Sequence, residues 1–283
     1  MDLTPKMHSH TSTIIEQFIS ERFLSSGKST VLIGLSGGLD SSVVAKLAAD
    51  AIGPDKVKAF FMPHGRESTR EMRDAEEAAA FAGVALETVD ISPIVGSIPL
   101  SMEGMVLGNA KARARMLFLY SYANKHSGMV LGTSNKTELL LGYFTKFGDG
   151  AADIYPIGDL FKTQVIELAG ELKIPKGIVA KPPTAGLLKG QTDEGELGLP
   201  YPVLDQILTG YIADLEPAEI MDSMDLTSVT VDQMDRSGFE PPLSEEQVKR
   251  VFDMVRGSMH KRAPLAVPKV GGSTVGIDLR ERW

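Results

Sequence analysis

The sequence predicts an α/β fold, a Rossmann-like parallel sheet flanked by helices. Short apolar runs alternate with amphipathic segments through the first half of the chain, which is the pattern of strands joined by crossover helices. A glycine-rich turn follows the first apolar run and precedes a helix, a position where open sheets place their ligands. The 283 residues are 43% hydrophobic and 23% charged, so the chain can bury a sizeable core.

The predicted elements follow from the hydrophobic periodicity. The predicted strands are 31–35, 57–62, 84–91 and 129–132. The predicted helices are 13–26, 41–51, 68–82, 104–126, 160–172 and 203–212. Capping boxes are expected at the first and third helices, from Thr13 with Glu16 and from Ser68 with Glu71. Function is expected in the loops that follow the strands.

The whole chain, 1–283, is interpreted as one domain, with a core at about 28–200 and a helical C-terminal part at 201–283. Proline and glycine break any period between residues 181 and 200, which predicts a loop that serves as a lid. Residues 214–246 contain ten acidic side chains and a single base, Arg236. We expect this stretch to be a solvated acidic surface.

The composition excludes several classes of function. There is no cysteine, which rules out disulfides, thiolate metal sites and a cysteine nucleophile on this chain. The net charge of 29 − 37 = −8 argues against nucleic acid as the main partner. No apolar run approaches the roughly 20 residues of a membrane span, and the N-terminus lacks a signal-peptide pattern. We therefore expect a cytoplasmic protein that binds neither nucleic acid nor membranes.

The string SGGLDSS, residues 36–42, carries the chemistry expected after the first strand. Its glycines let the backbone approach a ligand closely, and the free amides that open the next helix favour an anion. A tight turn with a serine cap would need only the glycines and one serine. Asp40 disfavours that alternative, because a carboxylate beside a phosphate requires a cation such as Mg²⁺ between them.

SGGLDSS resembles the SGGxDS loop of the ATP pyrophosphatases, which bind ATP and expel pyrophosphate. Their common reaction is adenylation of a carboxylate or carbonyl oxygen, followed by attack of a nitrogen or sulfur nucleophile. The resemblance implies ATP contacts along the whole loop: Gly34, Leu35, Ser36, Gly37, Gly38, Leu39, Asp40 and Ser41. The loop motif alone does not identify which acceptor is adenylated.

Further strings resemble the motifs of the ammonia-dependent NAD synthetase family. In order, they are NAKARARM (109–116), LGTSNKTELLLGYFTKFGDGAADIYP (131–156), LFKTQV (160–165), KPPTAGL (181–187), QTDEGELG (191–198) and HKRAPL (260–265). The resemblance implies an adenine nucleotide alpha-hydrolase-like fold and a homodimer. It also implies that ATP with Mg²⁺ adenylates nicotinic acid adenine dinucleotide (deamido-NAD), and that ammonia then displaces AMP to give NAD.

The resemblance also assigns roles to single residues. Asp40 and Glu138 match the family's two magnesium carboxylates. The further ATP contacts that it implies are Thr133, Lys162 and Thr184. The deamido-NAD contacts that it implies are Arg113, Lys146, Asp153, His260 and Lys261. The implied catalytic residues are Asp40, Lys162 and Asp149, where Asp149 is a candidate to hold ammonium or to accept its proton.

Ordinary structural roles stay open for several of these residues. Arg113 and Arg115 face different ways on one helix, so one of them is expected to be solvated. Lys146 and Asp153 could form a surface pair, and His260 could belong to a solvated tail. The alternative interpretation of residues 193 and 194 is the hinge of the lid rather than a ligand set.

Two other functions also stay open. One is a different ATP pyrophosphatase that amidates another carboxylate, and the other is a nucleotide sensor without turnover. The expected nitrogen source follows from the lack of an amidase domain, since glutamine-dependent relatives carry an added amidase domain with a cysteine nucleophile. This sequence has neither, so ammonia is expected to be used directly or to be delivered by a separate protein.

Overall fold

In the computed structural model, the described residues are 2–65, 69–184, 192–263, 268 and 270. Their strands are β1 (Thr30–Gly34), β2 (Val57–Phe61), β3 (Ala85–Thr88) and β4 (Gly128–Leu131). These form one parallel sheet in the order β3-β2-β1-β4, with β1 hydrogen-bonded to both β2 and β4. The predicted α/β class and its parallel sheet are therefore confirmed.

The helices follow the strands in alternation and then continue alone in the C-terminal part. They are α1 (Thr11–Ser26), α2 (Leu39–Ile52), α3 (Thr69–Ala82), α4 (Ser92–Gly96), α5 (Gly104–His126), α6 (Lys136–Leu141), α7 (Lys162–Glu171), α8 (Lys176–Val179), α9 (Asp193–Leu197), α10 (Tyr201–Ile212), α11 (Pro217–Asp222), α12 (Val231–Ser237), α13 (Glu245–Gly257) and α14 (Met259–Arg262). A short 3₁₀ turn, Pro54–Lys56, leads into β2.

Alternate residues of the sheet face two different cores, as the period of a strand requires. Val31 and Ile33 of β1 lie in a core formed with α1, α2, α3, α7 and α8. Leu32, between them, lies in a second core with α4 and α5. The sheet is therefore covered on both faces, which explains why its strands read as short continuous apolar runs.

A third core joins the C-terminal helices to the loops that follow β4. It is built on α10 and α13 and includes Leu141, at the end of α6, and Phe161, just before α7. The N-terminal segment contributes Leu3 to this core. The C-terminal helices therefore pack against the carboxyl edge of the sheet, where α6 and α7 begin.

Three details of the predicted pattern are wrong. α1 begins at Thr11, whose hydroxyl bonds back to the His8 carbonyl at 2.7 Å, so Thr13 lies inside the helix and forms no capping box at its start. β3 ends earlier than expected, since the chain turns into α4. The segment 181–200 contains α9, which begins where the Thr192 hydroxyl accepts from the Gly195 amide. Ser68 and residues 185–191 lie outside the described residues.

The ten acidic side chains of 214–246 are exposed, as predicted, but the stretch also contains α11 and α12 and contributes to the core. Its apolar residues Ile220, Phe239 and Leu243 are buried in the third core. Arg236 donates from Nε and Nη2 to one oxygen of Glu194, at 3.1 and 2.8 Å, and the Glu194 side chain is 1% exposed. The single base of the stretch therefore neutralises a buried carboxylate of α9.

No helix in the part of the chain that the structure describes is long and apolar enough to span a bilayer.

We predict that Arg236→Ala lowers the free energy of unfolding by about 3 kcal/mol, because it leaves the buried Glu194 carboxylate without its cation. Urea denaturation measures the effect. The matched control is Lys249→Ala, which breaks an exposed pair with Glu245 at 2.7 Å and should leave stability nearly unchanged. Equal stability of the two variants would contradict the structural role of the buried pair.

Candidate active site

The SGGLDSS loop connects the end of β1 to the start of α2, at the carboxyl edge of the sheet. Gly38 is the N-cap of α2 and offers no side chain to the first amides of the helix. The hydroxyls instead hold the loop: Ser41 Oγ donates to the Gly38 carbonyl at 3.1 Å, and Ser36 Oγ accepts from the Gly38 amide at 3.2 Å. The loop is thus shaped by its own side chains, with the helix amides available to an anion.

Gly37 fixes the distance between this loop and α3. Its φ of +74° lies in the left-handed region, and a Cβ added there would come within 2.7 Å of both Asp74 Cβ and the Ala75 backbone nitrogen. Asp74 also accepts from Lys181 Nζ at 2.8 Å. Because Lys181 belongs to KPPTAGL, the start of the expected lid is tied to the helix that supports the loop.

Asp40 and Lys162 form the central contact of the site. Asp40 lies in the first turn of α2, and its Oδ2 accepts from the ammonium of Lys162, the first residue of α7. The Lys162 side chain is 3% exposed and that of Asp40 is 18% exposed. Desolvation lowers the pKa of Lys162, but the charges of Asp40 and Glu138 raise it by more than desolvation lowers it. The net pKa is therefore above its usual value, and the lysine stays charged.

Asn135 connects Asp40 to Glu138. Its Nδ2 donates to Asp40 Oδ1 at 3.1 Å. Its Oδ1 accepts from the Glu138 amide at 3.0 Å, and Glu138 Oε2 accepts from the Asn135 amide at 3.1 Å, a reciprocal capping box that starts α6. Burial raises the pKa of Glu138 well above its usual value, and the charge of Asp40 raises it further. The two predicted magnesium carboxylates therefore belong to one cluster.

Asp193 adds a third carboxylate beside Lys162. The Tyr201 hydroxyl donates to its Oδ2 at 3.0 Å, and Lys162 Nζ lies 5.5 Å from the centre of the Tyr201 ring. The other carboxylate oxygen of Asp193, Oδ1, is buried without a hydrogen-bond partner among the described residues. Burial raises the pKa of Asp193, while the charge of Lys162 lowers it. The structure therefore places Asp193 in the charged cluster, where the sequence had left both a hinge and a ligand role open.

A buried network holds the start of α7 behind this cluster. Asp205 of α10 accepts from the Thr137 hydroxyl at 2.5 Å and from the Thr163 amide at 2.9 Å. The Lys162 amide in turn donates to Thr137 Oγ1 at 2.9 Å. Burial raises the pKa of Asp205 to about 6. The network fixes the backbone from which the Lys162 side chain projects.

The donor set fits a divalent ion that binds together with phosphate. Mg²⁺ is usually held by one or two carboxylates, with phosphate oxygens and waters completing its shell. Among the described residues no three acidic or histidine side chains form a group that could hold a metal. Asp40 and Glu138 supply two carboxylates, and because burial and the charge of Asp40 raise the pKa of Glu138, its ionised form would be stabilised by a cation close by.

The other predicted ATP contacts lie at the edges of this site. Thr133 follows β4 and is half-buried at the carboxyl edge of the sheet. Thr184 is exposed and is the last described residue before 185. Their contacts with ATP stay predictions.

Four of the residues predicted to contact deamido-NAD are brought together by hydrogen bonds from side chains to main-chain carbonyls. Arg113 Nε donates to the Lys146 carbonyl at 3.2 Å, and Lys146 Nζ donates to the His260 carbonyl at 2.7 Å. Lys261 Nζ donates to two carbonyls of the turn 142–144, at 2.6 and 2.9 Å. Desolvation lowers the pKa of Lys261. The C-terminal helix α14 thus brings two candidate ligands to the loop after α6.

Asp149 faces the second arginine of α5. Its Oδ1 accepts from the Thr145 amide at 3.0 Å. Desolvation of the carboxyl group raises the pKa of Asp149, and the charge of Arg115 lowers it. Arg115 Nε donates to the Met62 carbonyl at 2.9 Å. Arg113 is therefore the exposed arginine of the pair, and Arg115 is half-buried against the loop after β2.

Asp153 has a structural role in the described residues. Its Oδ2 accepts from the Val130 amide at 2.7 Å, and its Oδ1 accepts from the Tyr120 hydroxyl at 3.2 Å. The carboxylate therefore binds the outer edge of β4, where the segment around Ile154 also pairs with the strand through a parallel bridge to Leu131. Its predicted contact with deamido-NAD stays a prediction.

Sequence reasoning missed three polar residues that build the site: Asn135, Tyr201 and Asp205. Two of them carried a readable signal. Asn135 and Glu138 have the spacing of a capping box, and Asp205 interrupts an apolar helix, where a buried carboxylate requires a partner. The remaining contacts join segments distant in sequence, which periodicity cannot reveal.

The parallel sheet with an SGGLDSS loop after its first strand resembles the nucleotide-binding fold of the ATP pyrophosphatases. Residues 11–265 match the family model described as NAD synthase, and the chain belongs to this family. The match confirms the family that the motifs predicted. It also confirms the predicted enzyme class, a ligase that forms a carbon–nitrogen bond.

Two curated relatives carry the name NH(3)-dependent NAD(+) synthetase. The Pyrococcus furiosus protein is 40% identical over 91% of this chain and 93% of its own. The Methanocaldococcus jannaschii protein is 40% identical over 90% of this chain and 95% of its own.

Solved structures also resemble the chain. NMN synthetase from Francisella tularensis is 32% identical, with a TM-score of 0.76 over 94% of this chain and 100% of that one. NH3-dependent NAD synthetase from Campylobacter jejuni is 28% identical, with a TM-score of 0.65 over 84% and 100%.

We predict that Gly37→Ala weakens both stability and ATP binding. Alanine at positive φ costs roughly 1–2 kcal/mol, and the clash with the α3 backbone adds an overpacking cost of about 1–3 kcal/mol. Gly27→Ala is the matched control, because φ there is +63° but no atom lies within 4 Å of the added Cβ. Urea denaturation and ATP titration of both variants measure the difference. Equal losses would exclude the close approach to α3 as the cause.

Proposed function

We propose that the chain catalyses ATP-dependent amidation of deamido-NAD with ammonia, giving NAD, AMP and pyrophosphate. The observation that carries this proposal is the cluster of Lys162, Asp40 and Glu138 beside the SGGLDSS loop, in a chain of the NAD synthase family. The curated relatives named above support ammonia as the nitrogen donor.

The first step joins two anions, and the site offers cations for it. The triphosphate of ATP rests against the amides that open α2, where Lys162 neutralises the oxygens of the departing pyrophosphate. A carboxylate oxygen of deamido-NAD attacks the α-phosphorus, and the bond between the α-phosphorus and the bridging oxygen breaks. Mg²⁺ held by Asp40 and Glu138 would supply further positive charge when bound.

In the second step the nitrogen of ammonia attacks the acyl carbon, and AMP leaves with the electron pair of the broken carbon–oxygen bond. The attacking nitrogen must lose a proton. Asp149 is the proposed acceptor, because its raised pKa makes the carboxylate a stronger base than an exposed aspartate. The lid segment 181–200 is proposed to keep water from the acyl-adenylate.

The acceptor site is proposed to lie at an interface between two copies of the chain. Val106, Arg113 and Leu117 recur on one face of α5 at helical spacing, and the two apolar side chains are 54% and 59% exposed. An exposed apolar face of this kind is typical of an interface. A homodimer formed through α5 would place Arg113 beside a dinucleotide bound there.

A second candidate acceptor is a mononucleotide. The observation that favours it is the likeness to NMN synthetase from Francisella tularensis, at a TM-score of 0.76. Both acceptors carry the same pyridine carboxylate and differ in the adenylate half. The described cluster acts on the carboxylate and does not discriminate between them.

The test of function is ATP–pyrophosphate exchange with deamido-NAD, with nicotinic acid mononucleotide, or with neither, followed by NAD formation from ammonium or glutamine. We expect exchange that depends on deamido-NAD and product with ammonium only. Faster exchange with the mononucleotide would favour the second candidate, and exchange with neither acid would favour another acceptor or a sensor.

Asp40→Asn should lower exchange at least about 100-fold, because it removes charge stabilisation at the reacting phosphates. The variant should keep its secondary structure by circular dichroism. Asp50→Asn, on the same helix and paired with Lys46, is the control and should exchange normally. Normal pyrophosphate exchange by Asp40→Asn would remove the proposed metal role.

Arg113→Ala should raise the KM for deamido-NAD about tenfold and the KM for ATP much less, because one charge-assisted bond to the acceptor is lost. Leu117→Arg should give monomers by sedimentation and raise the same KM, since it places a charge in the proposed interface. An equal rise of both KM values in Arg113→Ala would contradict the assignment.

A further inference from the structure

Lys162 and a divalent ion would compete for the same carboxylate in this site. Both oxygens of Asp40 are engaged: Oδ2 accepts from the Lys162 ammonium, and Oδ1 accepts from Asn135 Nδ2 at 3.1 Å. An ammonium and a divalent cation on one carboxylate repel each other strongly where burial keeps water from screening the charges. Binding of a metal at Asp40 therefore requires that the Lys162 ammonium moves away from it.

The Lys162 ammonium has little access to solvent and must keep a counter-charge inside the cluster. Its side chain is 3% exposed, and its backbone is held at the start of α7, where its amide donates to Thr137 Oγ1 at 2.9 Å. The carboxylates whose charges act on it are Asp40, Glu138 and Asp193. Asp40 and Glu138 are the proposed ligands of the metal, so Asp193 is the carboxylate that is left.

Asp193 offers a free acceptor to this ammonium. Asp193 is 4% exposed, and only two fully buried side-chain polar atoms of the described residues lack a hydrogen-bond partner, Asp193 Oδ1 and Thr163 Oγ1. The Tyr143 hydroxyl also lies near the Asp193 carboxyl group, but it donates its proton to Glu196 Oε2 at 2.6 Å. A buried carboxylate oxygen without a donor is costly, and an incoming ammonium would satisfy it.

The Tyr201 side chain places Asp193 and Lys162 in one neighbourhood. Its hydroxyl donates to Asp193 Oδ2 at 3.0 Å, and Lys162 Nζ lies 5.5 Å from the centre of its ring, within the range of a cation–π contact. The Tyr201 amide donates to Glu194 Oε1 at 3.2 Å, which fixes α9 against the start of α10. The movement required is therefore a rotation of the flexible Lys162 side chain between two carboxylates of one cluster.

We propose that Asp193 is a positioning residue that receives the Lys162 ammonium when a divalent ion binds Asp40. This inference rests on the proposed function, because it takes ATP with Mg²⁺ to occupy the SGGLDSS loop. An ammonium has three donors, so one bond to Asp193 leaves two for the phosphate oxygens of ATP. Asp193 thus keeps Lys162 charged and oriented while Asp40 is given over to the metal.

The experiment is calorimetric titration of the full chain with α,β-methylene-ATP, with and without Mg²⁺. Asp193→Asn should weaken binding with Mg²⁺ about tenfold, the loss expected for one charge-assisted hydrogen bond. Binding without Mg²⁺ should not weaken, because the variant has one negative charge fewer near the triphosphate. Glu196→Gln, which removes an exposed charge from the same helix, is the matched control and should bind as the wild type does. Weaker binding of Asp193→Asn under both conditions would indicate a merely structural role and overturn the inference.

A double-mutant cycle tests whether Asp193 acts through Lys162. In the Lys162→Met background, Asp193→Asn should change the affinity with Mg²⁺ by less than about twofold, because the group that it positions is gone. A tenfold loss in that background as well would show that Asp193 acts on the metal directly, which contradicts the proposal. Circular dichroism checks that each variant keeps its secondary structure.

A crystal structure of the wild-type chain with the analogue and Mg²⁺ gives a readout that needs no variant. Lys162 Nζ should lie within hydrogen-bond distance of Asp193. A Lys162–Asp40 pair retained beside a bound metal would refute the inference. A wild-type chain that binds the analogue but forms no NAD would overturn the proposed function alone, since both readouts concern binding.

Discussion

The buried ion pair between Lys162 and Asp40 is the interaction on which the rest of the site depends. An ammonium that is 3% exposed is tolerated only with counter-charges nearby. Asp40, Glu138 and Asp193 all act on its pKa, so the cluster holds three carboxylates for one lysine. If all are ionised, the cluster has a surplus of negative charge; burial first, and the charge of Asp40 in addition, raise the pKa of Glu138 and Asp193. Such a site favours the arrival of further positive charge.

The fold brings these groups together because each lies near the start of a helix that leaves the carboxyl edge of the sheet. Asp40 lies at the start of α2, Glu138 at the start of α6 and Lys162 at the start of α7. The Asn135 side chain joins the first two, and Asp205 of α10 holds the third. The C-terminal helices therefore support the site from behind, which explains why the third core includes residues next to α6 and α7.

The sequence predicted the four strands, the loop and the family, because these depend on local periodicity and on contiguous motifs. The charge composition correctly predicted that the acidic side chains of 214–246 are exposed, but it did not show which apolar residues between them are buried or that Arg236 binds outside the stretch. Arg236 binds Glu194 42 residues away, and Lys162 binds Asp40 122 residues away. Such pairs are set by tertiary packing, so a single sequence shows the charges but not their partners. The assignment of ligands to Thr133, Thr184 and Asp153 stays a prediction for the same reason.

The string KARAR on α5 shows how one helix can serve two tasks. Successive residues of a helix turn by about 100°, so Lys111 and Arg115 share one face while Arg113 points away from both. Arg115 binds the Met62 carbonyl just past the end of β2, whereas Arg113 shares the exposed face with Val106 and Leu117. Docking of a second chain on that exposed face would order Arg113 without disturbing the Arg115 contact. Acceptor binding would then depend on assembly.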